Sequence, residues 1–222
     1  MTRITKRTDS PNGSPNDSPN DRMIRDQIVA RGISDPRLLA AFRATPREQF
    51  VLPAFRESAY DDNPLPLPRG QTISQPFIVA LMTDLLRLRG DERVLEIGAG
   101  SGYQTAILAR LAHIVYSAEL EPDLAATARE RLAHLGIDNV VLRAGHGVTL
   151  FREHAPFDAI LSAAAPEIFP EALIDQLAEG GRCILPVGAA ELQHLWLIEK
   201  RDGRVERRQL DSVRFVPLRN QP

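Results

Sequence analysis

The 222-residue sequence predicts an α/β fold, a doubly wound and mostly parallel sheet with antiparallel strands at its C-terminal end and a small helical subdomain before it. Three observations predict this. Strand-like and helix-like segments alternate from Val94 to Leu185, which implies parallel βαβ units with right-handed crossovers. The first of those strands, Val94 to Ile97, runs into a turn with glycines at alternate positions, Gly98, Gly100 and Gly102, and the turn opens a helix. From Leu192 onward apolar and polar residues alternate, and Asp202-Gly203 is a suitable type I′ hairpin turn between two such runs.

Composition narrows the field. With 27 basic and 29 acidic residues the formal charge is −2, which does not suit a nucleic-acid-binding or membrane-surface protein. No apolar run approaches the roughly 18 residues of a membrane span, and nothing at the N-terminus reads as a signal peptide. The single Cys183 lies in an apparent strand and reads as a small buried hydrophobe. A reducing, cytoplasmic setting is expected, with the protein a monomer.

Taken in order, residues 1–21 read as a disordered tail. Ser10-Pro11-Asn12-Gly13 and the two related tetrapeptides after it are turn formers with no apolar residue to offset the entropy of ordering. Residues 22–74 form the helical subdomain and the loop leading from it. Ile24, Ile28 and Val29 have helical spacing with Gly32 as a stop; Ser34 is placed to cap a second helix that has Pro36 in its first turn. Two short helical pieces follow, Pro46 to Phe50 and Pro53 to Tyr60. The prolines of Asn63-Pro64-Leu65-Pro66-Leu67-Pro68 then keep the chain extended. Residues 75–222 form the sheet domain. It opens with an apolar helix from Ile78 to Leu86, for which Ser74 is an apt cap, and closes with strands at Leu192 to Glu199, Val205 to Leu210 and Val213 to Val216.

A strand that enters a glycine-rich turn at the start of a helix is a nucleotide site. Glycine lets the backbone approach the ligand, and the helix start offers unpaired N–H groups. The spacing leaves two ligands open. A dinucleotide fingerprint places a glycine where this chain has Tyr103. That difference, with the acidic Glu96 inside the strand, favours S-adenosylmethionine. Glu119 ends the second strand, 21 positions after Gly98, where an acidic side chain commonly accepts from ribose hydroxyls. Thr72 and Ser74 precede the first sheet-domain helix; they either satisfy its free N–H groups or contact a ligand. The five histidines have no metal-ligand spacing, and no Ser-His-Asp or Cys-His set can be proposed.

Several stretches together resemble the protein-L-isoaspartate O-methyltransferase (protein-β-aspartate methyltransferase) family: Gly70-Gln71-Thr72-Ile73-Ser74-Gln75-Pro76, Val94 to Tyr103, Leu185-Pro186-Val187-Gly188 and Arg214-Phe215-Val216-Pro217-Leu218. The likeness runs from residue 22 to about 218, and the first and last of these stretches are its most specific parts. It implies a Rossmann-like class I methyltransferase fold whose strand order departs from the usual one near the C-terminus. It implies S-adenosyl-L-methionine as cofactor, with S-adenosyl-L-homocysteine as product. It also implies methylation of the α-carboxyl of L-isoaspartyl residues in damaged proteins and peptides, which starts repair through a succinimide. Glu96, Gly98, Gly100, Gly102 and Glu119 would hold the cofactor. Thr72 and Ser74 would meet the acceptor, Ser74 closest to its carboxylate. His146 stands where the family usually has an Asp near the adenine. A small-molecule methyltransferase would share the cofactor residues but has no reason to carry the Gly70–Pro76 run.

Overall fold

The computed structural model describes residues 17–219. Most of the expected tail, residues 1–16, lies outside them, but its last part is corrected. Helix α1 (Pro19–Met23) is capped by Ser18, whose hydroxyl accepts from Asp21 N at 3.1 Å. Asn20 is buried, and its amide donates to the carbonyls of Phe42 and Arg43. The subdomain therefore begins near Ser18 rather than Arg22, because a polar side chain with two buried acceptors ties that stretch down.

The helical run continues to Arg31 and stops at Gly32, left-handed at φ 91°. Helix α2 (Pro36–Arg43) is capped by Asp35, not Ser34: the Asp35 carboxylate accepts from Arg37 N at 2.8 Å. A two-strand ribbon, β1 (Leu65–Pro66) with β2 (Thr72–Ile73), brings the loop back antiparallel. Helix α3 (Pro76–Leu86) then starts with proline at its first position, where no N–H is missed.

The main sheet alternates β3 (Arg93–Ile97), α4 (Tyr103–Ala109), β4 (Ile114–Glu119), α5 (Pro122–His134), β5 (Val140–Ala144) and β6 (Phe157–Ser162). A two-residue β7 (Ala164–Ala165) and a short α6 (Glu171–Ile174) lead to the long β8 (Leu177–Ala189). Helix α6 is one turn. Strands β9 (Leu192–Arg201) and β10 (Arg204–Val213) complete the sheet, and β11 (Val216–Pro217) pairs with β7. The order is β10-β9-β8-β6-β3-β4-β5, parallel except for β9 and β10. The last three strands thus lie side by side in chain order, which a tight hairpin permits. Asp202 (φ 52°) and Gly203 (φ 70°) form it with two positive φ values, as a type I′ turn requires.

Parallel strands buried on both faces need apolar residues throughout, and β3 supplies them: Val94 and Leu95 have no exposed surface. One face packs on α3, α4, α5 and the helical subdomain, the other on Phe151, Phe157, Leu173 and Ile174. At the edge, β10 is charged and almost wholly exposed, which discourages pairing with another chain. After β3 the chain moves outward to β4 and β5, then returns to β6 on the other side of β3. Ligand crevices in open α/β sheets lie at the carboxyl ends of strands around that reversal.

Candidate functional site

At the carboxyl ends of β3, β4, β5 and β6 lies a cavity walled by Ile97, Gly98, Gly100, Glu119, Gly145, Gly147 and Ala163, with Thr72 and the segment Val216 to Arg219 over it. Its floor is built by backbone. Gly98 and Gly100 line it at φ of 88° and 54°; Gly102 (φ 87°) is also left-handed but lies off the cavity, where a Cβ would meet Ala128 of α5 at 3.3 Å. Gly147 is needed for another reason: a Cβ there would stand 2.4 Å from Ile97 Cγ2. Ala163 N donates to Ile97 O at 2.8 Å, which stitches the two strand ends beside the turn.

Glu119 is held by this turn and holds it in return. One carboxylate oxygen accepts from Gly100 N at 2.7 Å and the other from Glu121 N at 3.0 Å. Each oxygen keeps a second lone pair, so the group can still accept from ligand hydroxyls while aimed by two backbone donors. Glycine turn and Glu119 are therefore brought together as the sequence implies.

Glu96 is not at the cavity. Its carboxylate has no exposed surface and lies inside the sheet, where Oε2 accepts from Thr105 Oγ1 at 2.6 Å and Ser117 Oγ at 2.5 Å. The other oxygen has no partner. Direct anchoring of a ligand is corrected to support from beneath: Glu96 joins α4 to β4 under the turn. Burial, only partly offset by the two hydroxyls, pushes its pKa up from 4.5 to about 7. The sign follows. An acid whose folded pKa is raised is uncharged and unpenalised below its ordinary value of 4.5, costs stability progressively as pH rises from there to about 7, and carries a constant penalty above that. Between pH 5.5 and 8 the wild type should lose about 2 kcal/mol of unfolding free energy through this group. Glu96→Gln should show a flatter dependence in denaturant titrations at the two pH values; parallel curves would remove Glu96 as the cause.

His146 sits between Gly145 and Gly147, but those glycines form the wall, not its own side chain. Its carbonyl accepts from Thr149 N and Leu150 N, which turns the loop.

Thr72 and Ser74 are brought together with the glycine turn. A small space walled by both, with Gly98, Gly100, Gln104 and Phe215, adjoins the first cavity and shares Thr72, Gly98, Gly100 and Ala163 with it. Beyond it lies a second cavity bounded by Pro64, Thr72, Ser74, Gln75, Ile78 and the segment Ser212 to Phe215. Thr72 borders all three spaces. Ser74 does not cap α3: the cap position is Gln75, with no side-chain hydrogen bond. The hydroxyls of Thr72 and Ser74 have no hydrogen-bond partner among the described residues, so both remain available to a ligand.

Two supports are not legible in the sequence. Arg47 has no exposed surface, and nothing in its short helical piece marks it as buried. Its guanidinium donates to the carbonyls of Ala59 (2.8 Å), Ser74 (2.6 Å) and Asn63 (3.3 Å) and lies 5.3 Å from the Tyr103 ring centre. Desolvation lowers its pKa to about 10, so it stays charged at neutral pH. Tyr103, where a dinucleotide fingerprint has glycine, packs edge-on against Phe42 and Phe50 at 6.1 and 5.3 Å. The ring that breaks that fingerprint docks the helical subdomain onto the turn. Above the cofactor-side cavity, Arg219 pairs with Glu121 at 2.5 Å and Arg69 with Asp123 at 2.8 Å, so both covering segments are tied to the start of α5.

Comparison with known proteins agrees with this arrangement. The family model described as protein-L-isoaspartate(D-aspartate) O-methyltransferase (PCMT) matches residues 18–222. A protein-L-isoaspartate O-methyltransferase of Methanoculleus marisnigri is 53% identical over 197 residues, 88% of this chain and 89% of that one. One from Koribacter versatilis is 50% identical over 197 residues, 89% of each chain. Among solved structures, a Plasmodium falciparum β-aspartate methyltransferase (PCMT) in complex with S-adenosyl-L-homocysteine superposes with a TM-score of 0.81 at 27% identity, covering 92% of this chain and all of that one. The glycine turn, the Glu119 carboxylate and the paired hydroxyls beyond it are thus found in a chain that belongs to the protein-L-isoaspartate(D-aspartate) O-methyltransferase family.

Proposed function

We infer that the protein transfers a methyl group from S-adenosyl-L-methionine to the α-carboxyl of L-isoaspartyl residues in damaged proteins and peptides, the step that starts their repair through a succinimide. The observation that carries this is the position of Thr72 on the wall of both cavities, where a donor side and an acceptor side meet. The residues present fit the cofactor. Gly147, with no Cβ to meet Ile97, lets its loop lie against the end of β3 and form the cavity wall, and Glu119 is already aimed by Gly100 N. Gly98 and Gly100 would hold it from below, Glu119 from the ribose side, and His146 is proposed near the adenine. When bound, the cofactor supplies an electrophilic methyl, which passes to the acceptor oxygen while the bonding electron pair stays on sulfur.

The chain's own residues have a modest chemical task. An α-carboxylate is ionised at neutral pH and needs no general base. Accordingly, the acceptor cavity is lined by neither a histidine nor an acid. Thr72 and Ser74 can donate to one carboxylate oxygen and leave the other free to attack. Phe215 gives both the small space and the acceptor cavity an apolar wall, and Ile78 adds to that of the acceptor cavity. Positioning of this kind can be worth about 7–11 kcal/mol. No helix among the described residues is long and apolar enough to cross a membrane. We propose a cytoplasmic monomer whose partners are isoaspartyl proteins, with neither nucleic acid nor membrane among them.

Labelled methyl should pass to an isoaspartyl peptide and not to its aspartyl twin. Ser74→Ala should lower kcat/KM about 10- to 100-fold, the loss of one hydrogen bond to a charged group, with S-adenosylmethionine affinity retained. Equal labelling of both peptides, or of neither with cofactor bound, refutes the proposed reaction.

A further inference from the structure

Among the residues that wall the acceptor cavity, Arg214 is the one with a charged side chain. It makes no ion pair or hydrogen bond with any described residue, whereas Arg69, Arg207 and Arg219 are each paired with an acid. Its backbone is nonetheless fixed. Next to it, Phe215 N donates to Gln193 Oε1 at 2.7 Å, and Gln193 Nε2 donates to Phe215 O at 3.1 Å. Gln193 is only 3% exposed, a buried amide spent on holding this segment in place. A cation without a partner, on a fixed strap, beside two free hydroxyls in a cavity with no acid, is arranged for an anion.

We propose that Arg214 is a specificity-determining residue that takes the acceptor α-carboxylate, a reading that rests on the function proposed above. Its planar guanidinium matches a carboxylate better than the point charge of a lysine. Thr72 and Ser74, which line the same cavity, orient the same group. The contact also separates substrate from product. Methylation turns a carboxylate into a neutral ester, which removes the attraction and favours departure of the product. A cation that stabilised the attacking charge too tightly would slow the reaction; the exposed setting of Arg214 keeps its pull moderate.

The test compares wild type, Arg214→Gln and Arg214→Lys on an isoaspartyl peptide with uncharged flanks, at low and high salt, with S-adenosylmethionine affinity measured by calorimetry. Arg214→Gln should raise KM for the peptide about tenfold or more, leave kcat and cofactor affinity close to wild type, and abolish the rise of KM with salt. Arg214→Lys should recover part of the loss. An unchanged KM, or a fall in kcat that tracks cofactor affinity, overturns the assignment. So does a penalty seen only with peptides that carry acidic flanks, since Arg214 would then read a neighbour rather than the acceptor. A wild type that binds cofactor and labels no isoaspartyl peptide refutes the functional reading itself, whereas the other failures refute Arg214 alone.

Discussion

Glu119→Ala is expected to weaken S-adenosylmethionine binding at least a hundredfold. The carboxylate serves two sides at once. It accepts from Gly100 N and Glu121 N, and so fixes the backbone that forms the cavity floor. In the proposed function it also accepts from the ribose hydroxyls of the cofactor. Hydrogen bonds to a charged group are worth about 1.5–3 kcal/mol each, so losing two or more corresponds to roughly 10²- to 10⁴-fold in affinity. Glu119→Gln keeps a single acceptor oxygen and should lose less. Calorimetric titration decides, with thermal melting to show that each variant is folded. An affinity for Glu119→Ala within about threefold of wild type would mean that the carboxylate serves the turn alone.

The largest effect on stability should come from Arg47→Met. Methionine fills much of the volume but leaves the Ala59, Ser74 and Asn63 carbonyls without their donor. Each buried acceptor left alone costs about 1–3 kcal/mol, partly offset because no guanidinium need be desolvated. The net expectation is a loss of about 3–5 kcal/mol, or roughly 10 °C in Tm for a chain of this size. Function should suffer beyond stability. Ser74 is positioned through its own carbonyl, so KM for the isoaspartyl peptide should rise even at temperatures where the variant is fully folded. If Arg47→Met melts within about 2 °C of wild type, the buried guanidinium is not the pin between the subdomain and the acceptor loop.

These two residues also mark where reading the chain succeeds and where it stops. Glu119 could be found because its position is local in character: an acid at the end of the second strand of a βαβ unit, at a set distance from a glycine turn. Arg47 could not. It stands 27 positions from Ser74, and nothing in its neighbourhood distinguishes it from a solvated helix residue. Glu96 shows the intermediate case. Its strand was legible from four residues, but which way the carboxylate turned depended on Thr105 and Ser117 arriving from α4 and β4.

What the sequence determined by itself was whatever rests on the period of side-chain burial and on the backbone's allowed angles. The alternation of strands and helices, the glycine turn, the proline in the first turn of α2 and the Asp202-Gly203 hairpin all belong here, since each is dictated within a few residues. What only the tertiary structure decided were contacts between groups far apart in the chain. Asp35 rather than Ser34 caps α2, and Ser74 faces a cavity instead of capping α3, because cap geometry depends on the direction from which the chain arrives. Tyr103 became the dock for the helical subdomain, and Gln193 the clamp on Phe215. Arg219 reached Glu121 across 98 positions. Such pairings are selected by complementary polarity inside a packed interior, where an unmatched donor or acceptor is costly, and no local pattern records which partner will be there.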